Sequence, residues 1–518
     1  MEQQRTEANE SLLARQGHGD NLVYNEENGG VGEGGSVAVS NVTTILALST
    51  FVAACIAFGY GCALGYSSPT QSSIMEDLGL SVEEFSLFGS MLSIGAILGA
   101  AICGKITDWL GRKMTMWILN LFYITGWLAI AFTKVPWLLD LGRLSLGFTN
   151  GISGYLASIY IAEITTKNVR GRFAAIVPLM TCWGMSFMYV VGSFVDWRTL
   201  ALIATIPGLV QLLLLFFIPE SPRWLAKVRR DKEIEAALLC LRGNKSDISD
   251  EATEIKDYVE SLKSFSKEGV FEIFQKKYVR PLLIVGGMMI FMCLGGVDAF
   301  AYYSGVIFVS AGISSMVGLI ASAAVQTLVG ILGTILIDKS GRRPLLLVCT
   351  GGLWLSSFLT GLSFFLKELD WWDQGSPILA LIGSLRSANC FHLHCSISSF
   401  SNHTGTWVRG YDLPKSQVLV TKVFAFVFSF GHLFLHHSQL HFLVPQLFPV
   451  NVKGSAGSIC NFMAYIIGWV VTYYFNFLIE WNSAVFCCAN FILTATMVPE
   501  TKGRTLEEIQ ASITHSSD

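Results

Sequence analysis

GKITDWLGRK, residues 104–113, is a charged turn that lies between two long apolar runs. The order Asp-x-x-Gly-Arg-basic recurs in DKSGRR, residues 338–343, which again lies between apolar runs. Self-similarity at long separation is typical of a duplicated architecture. Glycines in a short loop allow two spanning helices to approach closely, and basic residues favour the cytoplasmic face. The stretch therefore predicts a membrane protein built from two related halves rather than a surface turn of a soluble protein.

The composition also indicates a membrane protein. The chain is 52% hydrophobic and only 14% charged, and its mean hydropathy is +0.52, which is unusual for a soluble protein of this length. The net charge of −3 argues against nucleic acid as a partner. The cysteines are scattered, mostly inside apolar runs, without zinc-type or C-x-x-C spacing. We therefore expect small buried cysteines, no metal site and no cofactor.

Hydropathy divides the chain into segments. Apolar runs of spanning length, about 17–25 residues each, occur near 43–66, 85–104, 114–134, 137–161, 173–195, 199–218, 281–303, 313–337 and 344–366. We predict a disordered N-terminus over 1–42, a six-helix bundle over 43–218, a partly helical linker over 219–280, a second bundle over 281–498 and a tail over 499–518. Lysine and arginine concentrate in alternate loops, so the N-terminus, the linker and the C-terminus are predicted to be cytoplasmic.

A second repeat supports the duplication. Glu163 precedes Arg170 by the same gap that separates Gln446 from Lys453, and a glycine follows the basic residue in both places. Each half thus carries an Asp-x-x-Gly-Arg turn followed by an acid-or-amide and basic turn. This order implies two similar bundles around a central path.

These motifs, taken together, resemble those of the sugar porters of the major facilitator superfamily. They are Asp108 with Gly111-Arg112-Lys113, Gly142-Arg143, Ala162-Glu163-Ile164 with Arg170-Gly171, residues 219–225 (PESPRWL), Gly341-Arg342-Arg343 and residues 499–505 (PETKGRT). Leu241-Arg242-Gly243 and residues 505–509 (TLEEI) are most similar to the plant early-responsive-to-dehydration-like monosaccharide transporters. The resemblance implies an all-α membrane protein with the major facilitator fold: two pseudo-symmetric six-helix bundles, whose tenth and twelfth spans are atypical here.

The resemblance also implies what the protein does. Such proteins carry a monosaccharide, a hexose or a pentose, across a bilayer by alternating access, and they are not enzymes. We expect a small-molecule sugar and the lipid bilayer as partners, with protons as a further possibility, and a chain that works as a monomer in the vacuolar or plasma membrane.

Charged residues at matched places form the predicted gate. In the resembled family, such residues make a charge network that closes the inner side when the protein faces outward. Here they are Asp108, Arg112, Arg143, Glu163, Arg170, Glu220, Arg223, Asp338, Arg342, Arg343, Glu500 and Arg504. Arg143 lies inside an apolar run, where an unpaired charge is costly, so we expect a buried partner, either Glu163 or a backbone carbonyl.

The predicted sugar site is poorer in amides than the family's. The family's glutamine in the fifth span is Pro178 here, and its paired glutamines in the seventh span are Met292-Cys293. The substrate-binding candidates that remain are Gln326, Asp298, Tyr302 and Tyr303. Their hydroxyl, amide and carboxylate groups can exchange hydrogen bonds with sugar hydroxyls.

Proton coupling depends on a position in the first span. Proton-driven sugar porters have F-G-Y-D there, whereas this chain has Phe58-Gly59-Tyr60-Gly61, and Gly61 cannot titrate. We therefore predict facilitated diffusion. The alternatives are a proton-coupled symporter that uses Asp298 and a non-transporting, sensor-like relative.

The sensor alternative arises from residues 384–448. After Gly383 the chain turns polar over 384–422, where the tenth span is expected, so this insert is foreign to the fold in our interpretation. Seven of the nine histidines lie between His392 and His441. The pairs His432 with His436 and His437 with His441 have the i,i+4 spacing of a helical metal clasp, which leaves a metal carrier as a third hypothesis.

Overall fold

The structure is a computed structural model of the chain. It describes residues 43–166, 169–243, 248–265, 276–294, 297–310, 314–340 and 453–474, together with short pieces at 347, 350–351, 488–489 and 492–496. The predicted disordered N-terminus, the insert 384–422, the histidine segment and the tail lie outside these residues.

Every apolar run predicted before residue 219 is helical. The helices are α1 (Thr44–Gly65), α2 (Ser67–Leu78), α3 (Val82–Leu110), α4 (Arg112–Phe132), α5 (Pro136–Ile164), α6 (Arg170–Ala174), α7 (Ile176–Gly192) and α8 (Trp197–Leu214). In the part of the chain that the structure describes, five stretches are long and apolar enough to cross a membrane. These are Thr44–Gly65, Val82–Leu110, Arg112–Phe132, Arg172–Gly192 and Trp197–Leu214. Helix α5 has 29 residues, which amounts to a length of about 43 Å.

Side-chain caps fix where several helices begin. Thr43 accepts a hydrogen bond from the Leu46 amide at the start of α1, at 3.2 Å. Ser81 and Glu84 form a capping box at the start of α3, in which each side chain accepts from the other residue's amide. Asp196 caps α8 by accepting from the Thr199 amide at 3.0 Å. Each cap satisfies an amide that the helix itself leaves unpaired.

Glycines bring pairs of helices into backbone contact. A Cβ added to Gly61 in α1 would lie 2.0 Å from the carbonyl oxygen of Thr181 in α7, and one added to Gly184 in α7 would lie 2.1 Å from the Phe58 carbonyl oxygen. Helices α3 and α5 meet in the same way at Gly95 and Gly147. Small residues allow such contacts in membranes, where helices gain nothing from excluding water from one another.

The linker folds into three helices on one end of the first six spans. They are α9 (Pro222–Lys227), α10 (Asp231–Arg242) and α11 (Ser249–Phe265). Trp224, Leu238 and Ile255, one from each helix, belong to a small apolar core of their own. The linker is therefore a packed element rather than an extended connection.

Four described helices follow the linker. They are α12 (Lys276–Leu294), α13 (Val297–Ser310), α14 (Ser315–Ser340) and α15 (Lys453–Tyr474). The predicted seventh span is divided between α12 and α13. Tyr302, Tyr303 and Val471 share one apolar core with residues of α1, α3 and α7, so the second half packs directly on the first.

Candidate functional site

The Asp-x-x-Gly-Arg turn holds a buried ion pair. Arg112 opens α4 and donates from Nε and Nη2 to the two carboxylate oxygens of Glu163, near the end of α5, each at 2.9 Å. Arg112 also donates to the Thr107 carbonyl oxygen at 3.1 Å and to Asp108 at 3.4 Å. Its guanidinium is nearly enclosed, with the side chain 6% exposed. The pair therefore joins α3, α4 and α5 at one end of the helices, called here the charged end.

Glu220 caps α4 from outside the helix. Its carboxylate accepts hydrogen bonds from the amides of Arg112 at 3.0 Å, Lys113 at 3.0 Å and Ser221 at 2.8 Å. Gly111 precedes α4 with φ +90°, and a Cβ there would lie 2.6 Å from Glu220 Oε2. An anion at a helix N-terminus satisfies unpaired amides and the helix dipole. Burial raises the pKa of the Glu220 carboxyl, although the three amides oppose that shift.

The first linker helix closes the opposite side of the same turn. Trp224 Nε1 donates to the Asp108 carbonyl oxygen near the end of α3 at 2.8 Å. Lys227 forms an ion pair with the Asp108 carboxylate at 2.8 Å, and both side chains are about half exposed. Arg223 lies in the same helix, α9, and is partly buried. The linker thus contacts both sides of the turn between α3 and α4.

Arg242 joins the end of α10 to the bundle. It makes a bidentate pair with Glu251 of α11, at 3.0 and 2.7 Å, and donates to the Ile164 carbonyl oxygen at the end of α5 at 2.8 Å. The neighbouring Leu241 carbonyl oxygen accepts from the Thr43 hydroxyl at 2.6 Å. One segment of the linker therefore bonds both the start of α1 and the residue that follows Glu163.

Arg143 is fully buried in α5 and has a backbone partner. It donates to the Ala63 carbonyl oxygen at 2.7 Å and to the Ser67 hydroxyl. The Phe88 ring centroid lies 4.9 Å from the guanidinium carbon, a distance at which the ring face attracts a cation. The sequence predicted either Glu163 or a backbone carbonyl as the partner of Arg143. The structure has the backbone carbonyl, because Glu163 pairs with Arg112 instead. Among the described residues no carboxylate pairs with Arg143.

Hydrogen bonds join the two halves at the end opposite to the charged end. The Gly305 amide of α13 donates to the Ser68 hydroxyl of α2 at 2.8 Å. The Tyr189 hydroxyl of α7 donates to the Ala301 carbonyl oxygen of α13, also at 2.8 Å. Asp77 at this end accepts from Trp197 and from Arg198, and these bonds lower the pKa of its carboxyl. Two hydrogen bonds therefore link α13 of the second half to α2 and α7 of the first at this end.

A narrow central cavity lies between the two halves. Among the described residues its lining is drawn from five helices and carries no charged side chain: Tyr60, Leu64, Leu92, Ser93, Ala96, Asn150, Tyr302 and Tyr465. The cavity has a volume of about 10 Å³, room for about one water molecule and far below the ~300 Å³ at the lower end for ligand pockets. A sugar would need this cavity to widen.

The predicted substrate residues divide between two places. Tyr302 lines the central cavity. Gln326 is buried against α7, where its Nε2 donates to the Cys182 carbonyl oxygen at 3.4 Å and its Oε1 has no partner in the described residues. The Tyr303 hydroxyl donates to the Thr472 carbonyl oxygen of α15 at 3.4 Å. Tyr302 therefore meets the cavity, whereas Gln326 and Tyr303 join helices beside it.

For three predicted site residues the structure describes the helix but not the side chain. Asp298 lies in α13, Arg170 in α6 and Asp338 in α14, but their side chains lie outside what the structure describes. Arg342, Arg343, Glu500 and Arg504 lie outside the described residues altogether.

Asn150, Tyr60, Tyr465 and Arg242 were not among the predicted site residues. Asn150 and Tyr60 are polar positions inside apolar runs, which was the available signal. Arg242 belongs to a quoted motif, but its contact with Ile164 could not be inferred without the fold.

The chain is similar in sequence and in fold to known sugar transporters. The family model described as "Sugar (and other) transporter" matches residues 40–382 and 378–512. The chain is 43% identical to Sugar transporter ERD6-like 15 of Arabidopsis thaliana over 92% of this chain and 94% of that one. It is 40% identical to Sugar transporter ESL1 of the same plant, over 91% and 93%. The solved structure of the proton:xylose symporter XylE bound to 6-bromo-6-deoxy-D-glucose superposes with a TM-score of 0.69 at 21% identity, covering 90% of this chain and 99% of that one.

The two matched segments of the family model meet at residues 378–382. These residues are apolar, and the second matched segment continues through the predicted insert, 384–422. The interpretation of the insert therefore stays a prediction.

Proposed function

The chain belongs to the sugar transporter family and has the major facilitator fold, and from this premise we propose that it carries a monosaccharide across a membrane by alternating access. The central cavity carries the proposal. It lies between the two halves, and its described lining residues carry phenol, hydroxyl and amide groups and no charge, as suits a neutral polyhydroxyl ligand. A sugar can favour a closed form only by binding that form more tightly than the open ones.

We further propose facilitated diffusion rather than proton symport. Gly61 occupies the position where proton-driven members carry an acid, and the contact with the Thr181 carbonyl leaves no space there for a side chain. Arg143 is held by a carbonyl and a hydroxyl. No carboxylate among the described residues pairs with Arg143, so none of them is placed to take up and release a proton beside it. Asp298 remains the candidate acid of the alternative, a symporter.

The charged end is proposed to be the inner gate and to face the cytoplasm. Arg112, Glu163, Asp108 and Glu220 belong to the first half and the linker. Their counterparts in the second half and the tail are predicted to be Asp338, Arg342, Arg343, Glu500 and Arg504, with Gln446 at the place of Glu163. Ion pairs at a wetted surface, unlike the buried pair of Arg112 and Glu163 within the first half, contribute only about 0–1 kcal/mol each. A network of such pairs between the halves can therefore form and separate in each cycle.

The remaining assignments are proposals of the same kind. They are the division into two bundles and a linker at the boundaries given above, cytoplasmic termini, a vacuolar or plasma membrane location and action as a monomer. The excess of lysine and arginine in alternate loops supports the orientation.

Uptake of labelled glucose, fructose and xylose by transporter-deficient yeast tests the proposal. Cells expressing the chain are compared at two external pH values, with and without a protonophore. Saturable uptake that does not respond to the protonophore is the expected result. Uptake abolished by the protonophore would establish symport and point to Asp298. No uptake, with the protein verified in the membrane, would favour the sensor-like alternative.

A further inference from the structure

We infer that Asn150 donates a hydrogen bond to a sugar hydroxyl in the central cavity. This inference rests on the proposed function and names a residue of its binding site. Asn150 lies in the middle of α5 and is 3% exposed. Its Nδ2 is buried and has no hydrogen-bond partner among the described residues. Buried amide groups in proteins nearly always have a partner, so this donor calls for a ligand or a water molecule.

The backbone of Asn150 is held firmly in position. The neighbouring Gly151 packs so closely on α3 that an added Cβ would lie 2.2 Å from the Ala96 carbonyl oxygen. Helix α5 therefore cannot rotate or withdraw from α3 without breaking this contact. A donor on such a fixed element can discriminate between ligands that differ by one oxygen.

The surroundings of Asn150 indicate the class of ligand. Tyr60 of α1 and Ser93 of α3 line the cavity from the first half, while Tyr302 of α13 and Tyr465 of α15 line it from the second. Aromatic faces accept the apolar face of a sugar ring, and the polar groups meet its hydroxyls. Because no described lining residue is charged, we infer a neutral ligand that is rich in hydroxyl groups.

Asn150 also supplies an amide group to a site that lacks several of the family's amide side chains. The family's amides at the positions of Pro178, Met292 and Cys293 are absent here. Asn150 supplies an amide from a different helix, so the site is shifted towards α5.

Water is the competing occupant. Asn150 also lines a second cavity inside the first half, with Asn120, Ser153 and Gln211, and Asn120 Oδ1 there also lacks a partner among the described residues. Water bound in this second cavity could satisfy the Asn150 amide without any sugar. The two occupants predict different responses to ligand chemistry.

The experiment compares Asn150→Ala, the milder Asn150→Ser and the control Ser153→Ala. Ser153 is equally buried, lies one turn away on α5, and lines only the second cavity. Each protein is assayed for uptake and, after purification, for thermal stabilisation by the sugar. The ligands are a transported hexose and its series of monodeoxy analogues.

For both Asn150 variants we expect the KM for the parent sugar to rise about three- to tenfold, the loss expected for one neutral hydrogen bond. One deoxy analogue, lacking the hydroxyl that Asn150 binds, should show no change. Ser153→Ala should leave every value as in the unaltered chain. Sugar-dependent stabilisation should follow the same pattern.

Unchanged KM and stabilisation across the series would overturn the inference, and so would an equal loss for all analogues, which a merely structural role predicts. If the unaltered chain takes up no sugar, the proposed function fails separately, and the stabilisation assay still tests Asn150. If the unaltered chain is also not stabilised by any sugar in the series, the inference fails with it.

Discussion

Gly111 is the residue on which the capping of α4 depends. Its φ of +90° lies in a region that residues with a side chain rarely adopt. The Glu220 carboxylate fills the space that a Cβ on this residue would occupy. The motif's glycine thus serves two needs at once: the backbone turn and the approach of an anion from the linker.

We predict that Gly111→Ala lowers the free energy of unfolding by about 1–3 kcal/mol, because the new Cβ meets both backbone strain and Glu220. Gly104→Ala is the control, since a Cβ there meets nothing within 4 Å. It should be neutral or slightly stabilising, as alanine favours a helix. Thermal unfolding of the purified protein measures both, and equal effects would contradict the assignment.

The Arg112 and Glu163 pair allows a double-mutant cycle. Arg112→Gln and Glu163→Gln should each cost several kcal/mol, up to about 3–5, because each removes the bidentate partner of a buried charge, and the double variant should cost less than their sum. The exposed pair of Arg230 and Glu233, at 3.5 Å, is the control and should show no coupling. If the losses of unfolding free energy in the two single variants add up to the loss in the double variant, Arg112 and Glu163 are not energetically coupled.

At the scale of elements, hydropathy predicted the long helices but missed α2 (Ser67–Leu78). This helix is polar, yet Ser67 holds Arg143 and Ser68 joins the second half. From the sequence both serines would be assigned to a loop, because a polar helix lacks the periodic apolar face that identifies a helix.

The motifs predicted Arg112 and Glu163 as site residues, but they did not predict that Glu220 caps a helix, since that capping requires the linker to return to α4. Asn150 was missed for a related reason: periodicity does not tell which side of a buried helix faces a cavity.

For the linker, we predict that Arg242→Ala loosens α10 and α11 from the bundle. The variant removes both the bidentate contact with Glu251 and the bond to the Ile164 carbonyl oxygen. Amide hydrogen exchange over residues 231–265 should become faster, because local opening costs less. Lys232→Ala, at an exposed position of α10, should leave the exchange unchanged. Unaltered exchange in Arg242→Ala would show that the linker is held by its apolar core alone.

At the scale of the whole molecule, glycines bring backbones together mainly within the first half, where α1 touches α7 and α3 touches α5. Between the halves, the described contacts include a shared apolar core and one close backbone approach, of Gly305 to the Ser68 carbonyl oxygen. They also include hydrogen bonds such as that of Tyr189. A closely packed half can keep its form while contacts between the halves exchange, as alternating access requires.

Gly61→Ala tests this closely packed half. The added methyl group would have to displace α7, so we expect a cost of at least about 1–3 kcal/mol and a loss of uptake. Gly154→Ala is the control, since it lies in α5 and its Cβ would meet nothing within 4 Å. Both are measured by uptake per amount of protein in the membrane. Normal uptake by Gly61→Ala would show that α1 and α7 can separate at this place.

The contact between Gly61 and Thr181 also limits how proton coupling could evolve in this protein. A single base change converts any glycine codon into an aspartate or a glutamate codon, so an acid at this position lies one mutation away on paper. Because the space is filled by a main-chain carbonyl, which no substitution in α7 can remove, that mutation would disrupt the fold before it could add coupling. A lineage with this helix contact is thus separated from proton coupling at position 61 by at least two changes, one of which must first move a helix.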